Sequence, residues 1–148
     1  MKNQLRVLCA NDDDTCDLLT TALGMSDIEV KAAHTVADAC WLAQIEPFDL
    51  NILETRLLDG NGFDLCRRLH RFAPHTPIIF YSCDAHPIDR HKGLAGGAVD
   101  YLVKPYFGDI TTTVLQIIKT TRKPPLLTPR ILPFNRRRRF VDKLRLEL

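Results

Sequence analysis

The chain has 148 residues, 45% of them hydrophobic and 26% charged, with a formal net charge of +2. These values exclude wholesale disorder and leave room for one domain with its own core. No apolar run approaches the roughly 20 residues of a membrane span, and MKNQLRVLCAND at the N-terminus shows no secretory signal, so a soluble, cytoplasmic protein is expected.

Residues 5–10 (LRVLCA) form a short apolar run, read as a strand, that ends in Asn11-Asp12-Asp13-Asp14. Thr15 or Asp14 is placed to cap the helix that follows, in which Cys16, Leu19 and Leu23 stand at helical spacing and Gly24 marks the stop. Residues 28–33 (IEVKAA) read as a second strand. Thr35 then caps a helix through Glu46 whose Ala37, Cys40, Trp41 and Ile45 share one face, expected to be core; Pro47 ends it. Leu50 to Leu53 is a third, buried strand with Glu54 at its carboxyl end, followed by a loop ending in Asn61-Gly62. A helix from Gly62 to about Phe72 carries Phe63, Leu65, Cys66 and Leu69.

Pro77 introduces a fourth strand, Ile78 to Tyr81, ending in Ser82. A helix starts near Pro87, since proline suits a first helical turn, and runs to Gly96-Gly97. Residues 99–103 (VDYLV) make a fifth strand closed by Lys104-Pro105, and a last helix from about Asp109 to Thr121 presents Ile110, Val114, Ile117 and Ile118. Five strands alternating with five helices predict an α/β fold, a parallel sheet with helices on both faces. The five cysteines, at 9, 16, 40, 66 and 83, lack metal-ligand spacing; they suit reduced core thiols and argue against zinc.

From Arg122 the character changes. Residues 1–118 carry 10 Lys+Arg and 16 Asp+Glu, a charge of −6, whereas residues 119–148 carry 10 and 2, a charge of +8. KPPLLTPRILPFN holds four prolines and suits neither a regular helix nor a central strand. The expected organisation is a globular unit over 1–121 and a proline-rich linker with a basic tail over 122–148. Arg136, Arg137, Arg138 and Arg139 read either as a solvated linker end or as a phosphate-contacting cluster. No helix-turn-helix pattern accompanies them, which leaves a nucleic-acid-binding regulator as the weaker alternative.

In an open parallel sheet, ligands bind beyond the carboxyl ends of the strands. Collected there are Asp12 and Asp13, Glu54, Ser82 and Lys104. Clustered carboxylates are relieved by a hard cation such as Mg²⁺, and a lysine beside a hydroxyl suits the equatorial oxygens of a phosphoryl group. Read alone, Asp12 to Asp14 are a solvated helix N-terminus, Ser82 a routine strand-end hydroxyl, and Tyr101 simple packing.

Taken together, RVLCANDDD, FDLNILETRLLDGNGFDLCRRL, TPIIFYS and GGAVDYLVKPY resemble the receiver domains of the two-component response regulators over residues 5–121. The resemblance implies a doubly wound, flavodoxin-like (βα)5 fold with a five-stranded parallel sheet in order 2-1-3-4-5. It implies that Asp12 binds Mg²⁺, that Ser82 closes on a phosphoryl group, and that Tyr101 swings inward on activation. It further implies that Lys104 pairs with the phosphorylated carboxylate, with a cis peptide at Lys104-Pro105. The partner implied is a protein, a sensor kinase or a downstream effector. It would be met on the fourth-helix, fifth-strand, fifth-helix face beside Tyr101, a face that also suits a homodimer.

Two positions depart from the pattern. Glu54 stands where the family has its phosphoacceptor aspartate, and Asn11 falls where the first member of the acidic pair belongs. A second register makes Asp12 and Asp13 the pair, but the spacing of Cys16, Leu19 and Leu23 favours the first. Glutamate reaches roughly 1.5 Å further than aspartate, and in-line transfer loses about 100-fold per ångström of misplacement. Asn11 also removes a charge from the Mg²⁺ cluster. A degenerate, phosphorylation-independent receiver is therefore expected, with Glu54 paired to Lys104, either imitating the active state or holding the crevice shut. A phosphoryl-transfer or hydrolytic enzyme built on Asp12 and Glu54 would lack a separate nucleophile, so no enzymatic activity is expected.

Overall fold

The computed structural model describes residues 4–106 and 108–122. The predicted linker and tail, including Arg136 to Arg139, lie outside the described residues except for Arg122, which closes the last helix. Strands and helices alternate in the order β1 (Leu5–Ala10), α1 (Asp13–Gly24), β2 (Ile28–Ala33), α2 (Val36–Ile45), β3 (Leu50–Leu53), α3 (Gly62–Phe72), β4 (Ile78–Ser82), α4 (Pro87–Ala95), β5 (Asp100–Val103) and α5 (Ile110–Arg122). The sheet is parallel throughout, in order β2-β1-β3-β4-β5. The strand order therefore reverses beside β1, and the crevice at the carboxyl ends of β1 and β3 is the switch point of a doubly wound sheet.

Side chains alternate across each strand, and that alternation decides which helices cover which face. Val7, Cys9, Leu50, Ile52 and Ile79 pack with Cys16, Leu19 and Leu23 of α1 and with Val114 and Ile118 of α5. Leu8, Ala10, Leu53, Ile78 and Phe80 pack on the other side with Val36 and Ala39 of α2 and with Leu65, Cys66 and Leu69 of α3. Each fully buried Leu, Ile or Phe contributes about 1.5–3 kcal/mol, so these two layers hold the strand ends in place. Among the described residues no helix is long and apolar enough to cross a membrane.

Two expectations are corrected. The cap of α1 is Asp12, not Asp14 or Thr15: Asp12 has extended backbone and its side chain accepts from the Thr15 amide at 2.7 Å. Asp14 then falls inside the first turn and Thr15 is buried. In α2 the buried residues are Val36 and Ala39, while Trp41 is 60% exposed. The sequence VADACWLAQI is apolar around most of its circumference, so spacing alone leaves the rotation of the helix open. The N-terminus settles it: Thr35 accepts from the Asp38 amide, and Asp59 accepts from the amides of Val36 and Ala37. One element was not expected: Arg56–Leu57 pairs antiparallel with Gly60–Asn61, a small hairpin inside the β3–α3 loop.

Candidate functional site

Four strand ends build the crevice. The Glu54 amide donates to the Ala10 carbonyl at 2.8 Å, and the Lys104 amide to the Ser82 carbonyl at 2.8 Å, so both residues continue the sheet by one position. The chain then turns sharply back: the Gly62 amide donates to the Thr55 carbonyl at 2.8 Å. A Cβ on Gly62 would stand 1.9 Å from the Glu54 carbonyl oxygen, so only glycine fits there.

Lys104 is the centre of the site. Its Nζ donates to Asn11 Oδ1 at 2.7 Å, Asp12 Oδ2 at 2.8 Å and Glu54 Oε2 at 3.0 Å. The side chains of Lys104 and Glu54 are only 12% and 14% exposed, that of Asp12 54%. Desolvation pushes Lys104 down, but the hydrogen bonds and charges of Asp12 and Glu54 outweigh it and raise its pKa. Burial pushes Asp12 up; the Lys104 hydrogen bond and the Thr15 amide overcome this and hold its carboxyl at about 2.

Asn11, 1% exposed, uses both halves of its amide. Its Nδ2 donates to the Tyr81 carbonyl at 3.1 Å, while Oδ1 accepts from Lys104 and from the Asp12 amide. A carboxylate could not donate to Tyr81, so asparagine suits this position where aspartate would face a carbonyl. Asp13 does not join the cluster. Its Oδ1 lies 3.0 Å from His34 Nε2, and His34 Nδ1 lies 2.8 Å from the Asn11 carbonyl. Two acceptors, one at each ring nitrogen, favour the doubly protonated imidazole, and the Asn11 hydrogen bond is the chief cause of a raised His34 pKa.

Ser82 and Tyr101 stand on the other side of Glu54. Ser82, 1% exposed, lies 3.1 Å from the Thr55 hydroxyl. Tyr101 is 3% exposed, its ring stacked on Phe80 with centroids 5.5 Å apart and its hydroxyl donating to the Asp84 carbonyl at 2.6 Å. Tyr101 is thus turned inward. The Lys104–Pro105 peptide is cis. Above these residues an open cleft of about 380 Å³ is lined by Asp12, Glu54, Arg56, Ser82, Cys83 and Asp84.

The Mg²⁺ ion that the fold family implies requires oxygens with charge to spare. Here Asp12 Oδ1 accepts from Thr15, Glu54 Oε1 from the Thr55 amide, and the remaining oxygen of each carboxylate from Lys104. The ammonium already supplies the positive charge at the centre of the oxygens. Among the described residues no three His, Cys, Asp or Glu side chains gather as a metal site. In this arrangement the Lys104 ammonium draws on the same two carboxylates that a cation would need.

Glu54, Asp12 and Lys104, all expected from strand ends, are thus brought together; Ser82 and Tyr101 flank them; Asp13 is turned away. Sequence reasoning missed Thr55, Asp84 and His34. Thr55 follows the strand-end acid directly, and Asp84 lies two residues beyond Ser82 in a strand-end loop, a placement that was available as a signal.

The profile of the response regulator receiver domain matches residues 7–115. The chain is 31% identical over 105 residues to the response regulator protein PilR of Pseudomonas aeruginosa, covering 71% of this chain and 24% of that relative. It is 35% identical over 102 residues to the transcriptional regulatory protein GltR of the same organism, covering 68% and 42%. It therefore spans less than half the length of these curated relatives. Among solved structures, a two-component response regulator from Clostridium difficile superposes with a TM-score of 0.75 at 26% identity, over 81% of this chain and 99% of that one. The non-phosphorylated HemR receiver domain from Leptospira biflexa gives 0.68 at 28% identity, over 80% and 94%. Matched along most of its length by the family profile and folded as the family folds, the chain belongs to the response regulator receiver domains and is a signalling module of the two-component type.

Proposed function

We propose that this receiver works without an aspartyl phosphate, signalling from the cytoplasm through protein–protein contact rather than by catalysis. The observation that carries the reading is the seat of Lys104. Its ammonium is shared among Glu54, Asp12 and Asn11, so the charge that would meet an incoming phosphoryl group is already neutralised by the protein's own carboxylates. Of the two roles open to Glu54, imitation of the activated state is favoured by the inward, buried Tyr101.

The partner is a protein, a kinase of the sensor type or a downstream effector, and the docking face is the one formed by α4, β5 and α5. Ile88, Val103 and Leu115 on those elements are 55%, 39% and 37% exposed, apolar surface suited to a protein partner or a second copy of the chain.

Acetyl phosphate or beryllofluoride with Mg²⁺ is expected to leave the protein's spectra unchanged, whereas a Glu54→Asp variant gains a Mg²⁺-dependent response. A full response in the unaltered chain would sink the reading.

A further inference from the structure

One residue of the β4–α4 loop is used three times. Asp84 Oδ2 accepts from the Thr55 hydroxyl at 2.5 Å, its amide donates to Ser82 Oγ at 3.0 Å, and its carbonyl accepts from the Tyr101 hydroxyl at 2.6 Å. The directions of these bonds follow from the proton count. A carboxylate only accepts, so the single hydroxyl proton of Thr55 points to the carboxylates beside it, Asp84 Oδ2 at 2.5 Å ahead of Glu54 Oε1 at 3.2 Å. The Thr55 and Ser82 hydroxyls stand 3.1 Å apart, so the three residues close a ring: Thr55 to Asp84, Asp84 amide to Ser82, and Ser82 beside Thr55. The loop that carries the acceptor of Tyr101 is thereby tied to the end of β3.

We propose that Asp84, held by Thr55, is the positioning residue that keeps Tyr101 turned inward with no phosphoryl group at Glu54. The inference rests on the reading of Glu54 given above and names the device that maintains that state. The ring is enclosed where it matters: Thr55 is 2% and Ser82 1% exposed, so water competes poorly for these bonds. The carboxylate end reaches the rim, where the side chain of Asp84 is 29% exposed and Arg56 Nε stands 3.3 Å from Oδ2. In agreement, the Thr55 hydrogen bond outweighs desolvation and lowers the Asp84 pKa.

The test uses the whole chain labelled with 3-fluorotyrosine. It contains three tyrosines, and a Tyr101→Phe variant identifies the resonance of Tyr101. Thr55→Val removes the hydroxyl while keeping the shape, Thr55→Ser restores it, and Asp84→Ala, at a partly exposed position, serves if the buried substitution fails to fold. In Thr55→Val and Asp84→Ala the Tyr101 resonance is expected to move to the solvent-exposed position. Its nitration by tetranitromethane should rise roughly tenfold or more, the scale set by one hydrogen bond to a charged group. Thr55→Ser should retain the native values. A Tyr101 that stays buried and protected in Asp84→Ala overturns the proposal. Beryllofluoride with Mg²⁺ on the unaltered labelled chain separates the two readings. A response there removes the reading of Glu54, whereas an unmoved Tyr101 in the variants of a silent chain removes the role of Asp84 alone.

Discussion

Arg6 and Lys104 stand at opposite ends of one sheet, each facing two carboxylates. At the amino end, Arg6 Nε meets Glu29 at 2.9 Å, Nη1 meets the Pro47 carbonyl at 3.0 Å, and Nη2 meets Glu46. Its guanidinium also lies 5.0 Å above the Phe48 ring. At the carboxyl end, one ammonium gathers oxygens from Asn11, Asp12 and Glu54. A guanidinium fork directs its donors along fixed lines, so Arg6 acts as a clamp joining β1, β2 and the α2–β3 connection. An ammonium is a point charge whose partners can be exchanged. The same count of charges therefore makes a fixed joint at one end and a site that can be rearranged at the other.

The contrast can be broken most sharply at the cations. Lys104→Met leaves Glu54, 14% exposed, without its counter-charge, and a cost of about 3 kcal/mol is expected from stranding a buried partner. Arg6→Met frees carboxylates that are 39% and 25% exposed, and water takes over much of their solvation, for a cost of about 1 kcal/mol. Urea unfolding midpoints measure both; equal losses would erase the distinction between the two ends.

Between the ends lies another buried polar group. Asn51 on β3 is 2% exposed, and its Oδ1 has no hydrogen-bond partner. Asn11, equally buried, has partners at both its amide oxygen and its amide nitrogen. Asn51→Leu should therefore stabilise the protein by about 1 kcal/mol in the same assay, since an orphaned buried acceptor carries its full desolvation penalty. A loss of stability would mean that Asn51 has a role the sheet itself does not reveal.

The smallest effect is read from pH. Asp12 is held at about 2, below the roughly 3.9 of an unfolded aspartate. Its contribution is complete above pH about 4 and disappears as pH falls towards about 2, because the unfolded chain then binds the extra proton. Asp12→Asn should flatten the acid limb of the stability curve across that window. An unchanged limb would place the acid sensitivity elsewhere, with Glu29 at the amino end the natural candidate, since its hydrogen bond to Arg6 also lowers its pKa.

Much of the architecture was legible before any coordinates. Apolar runs of strand length alternating with helical stripes specify a parallel sheet, and four of its carboxyl ends announce Asp12, Glu54, Ser82 and Lys104. These are local signals: a run, a cap, a glycine, a strand-end charge. α2 was misjudged because an almost wholly apolar helix has no preferred face until its N-terminus is tied down by Asp59, 23 residues from Val36 in the chain.

The amino-acid sequence by itself determined the class of fold, the order of its elements and the strand-end positions of Asp12, Glu54, Ser82 and Lys104, because each follows from residues close together in the chain. Only the tertiary structure decided that Asp13 turns to His34, that Asn11 bridges Tyr81 and Lys104, and that Thr55, Ser82 and Asp84 close a ring over Tyr101. Those contacts join loops separated by up to 93 residues. Their geometry depends on how two helical layers seat the strand ends, which no stretch of neighbouring residues encodes.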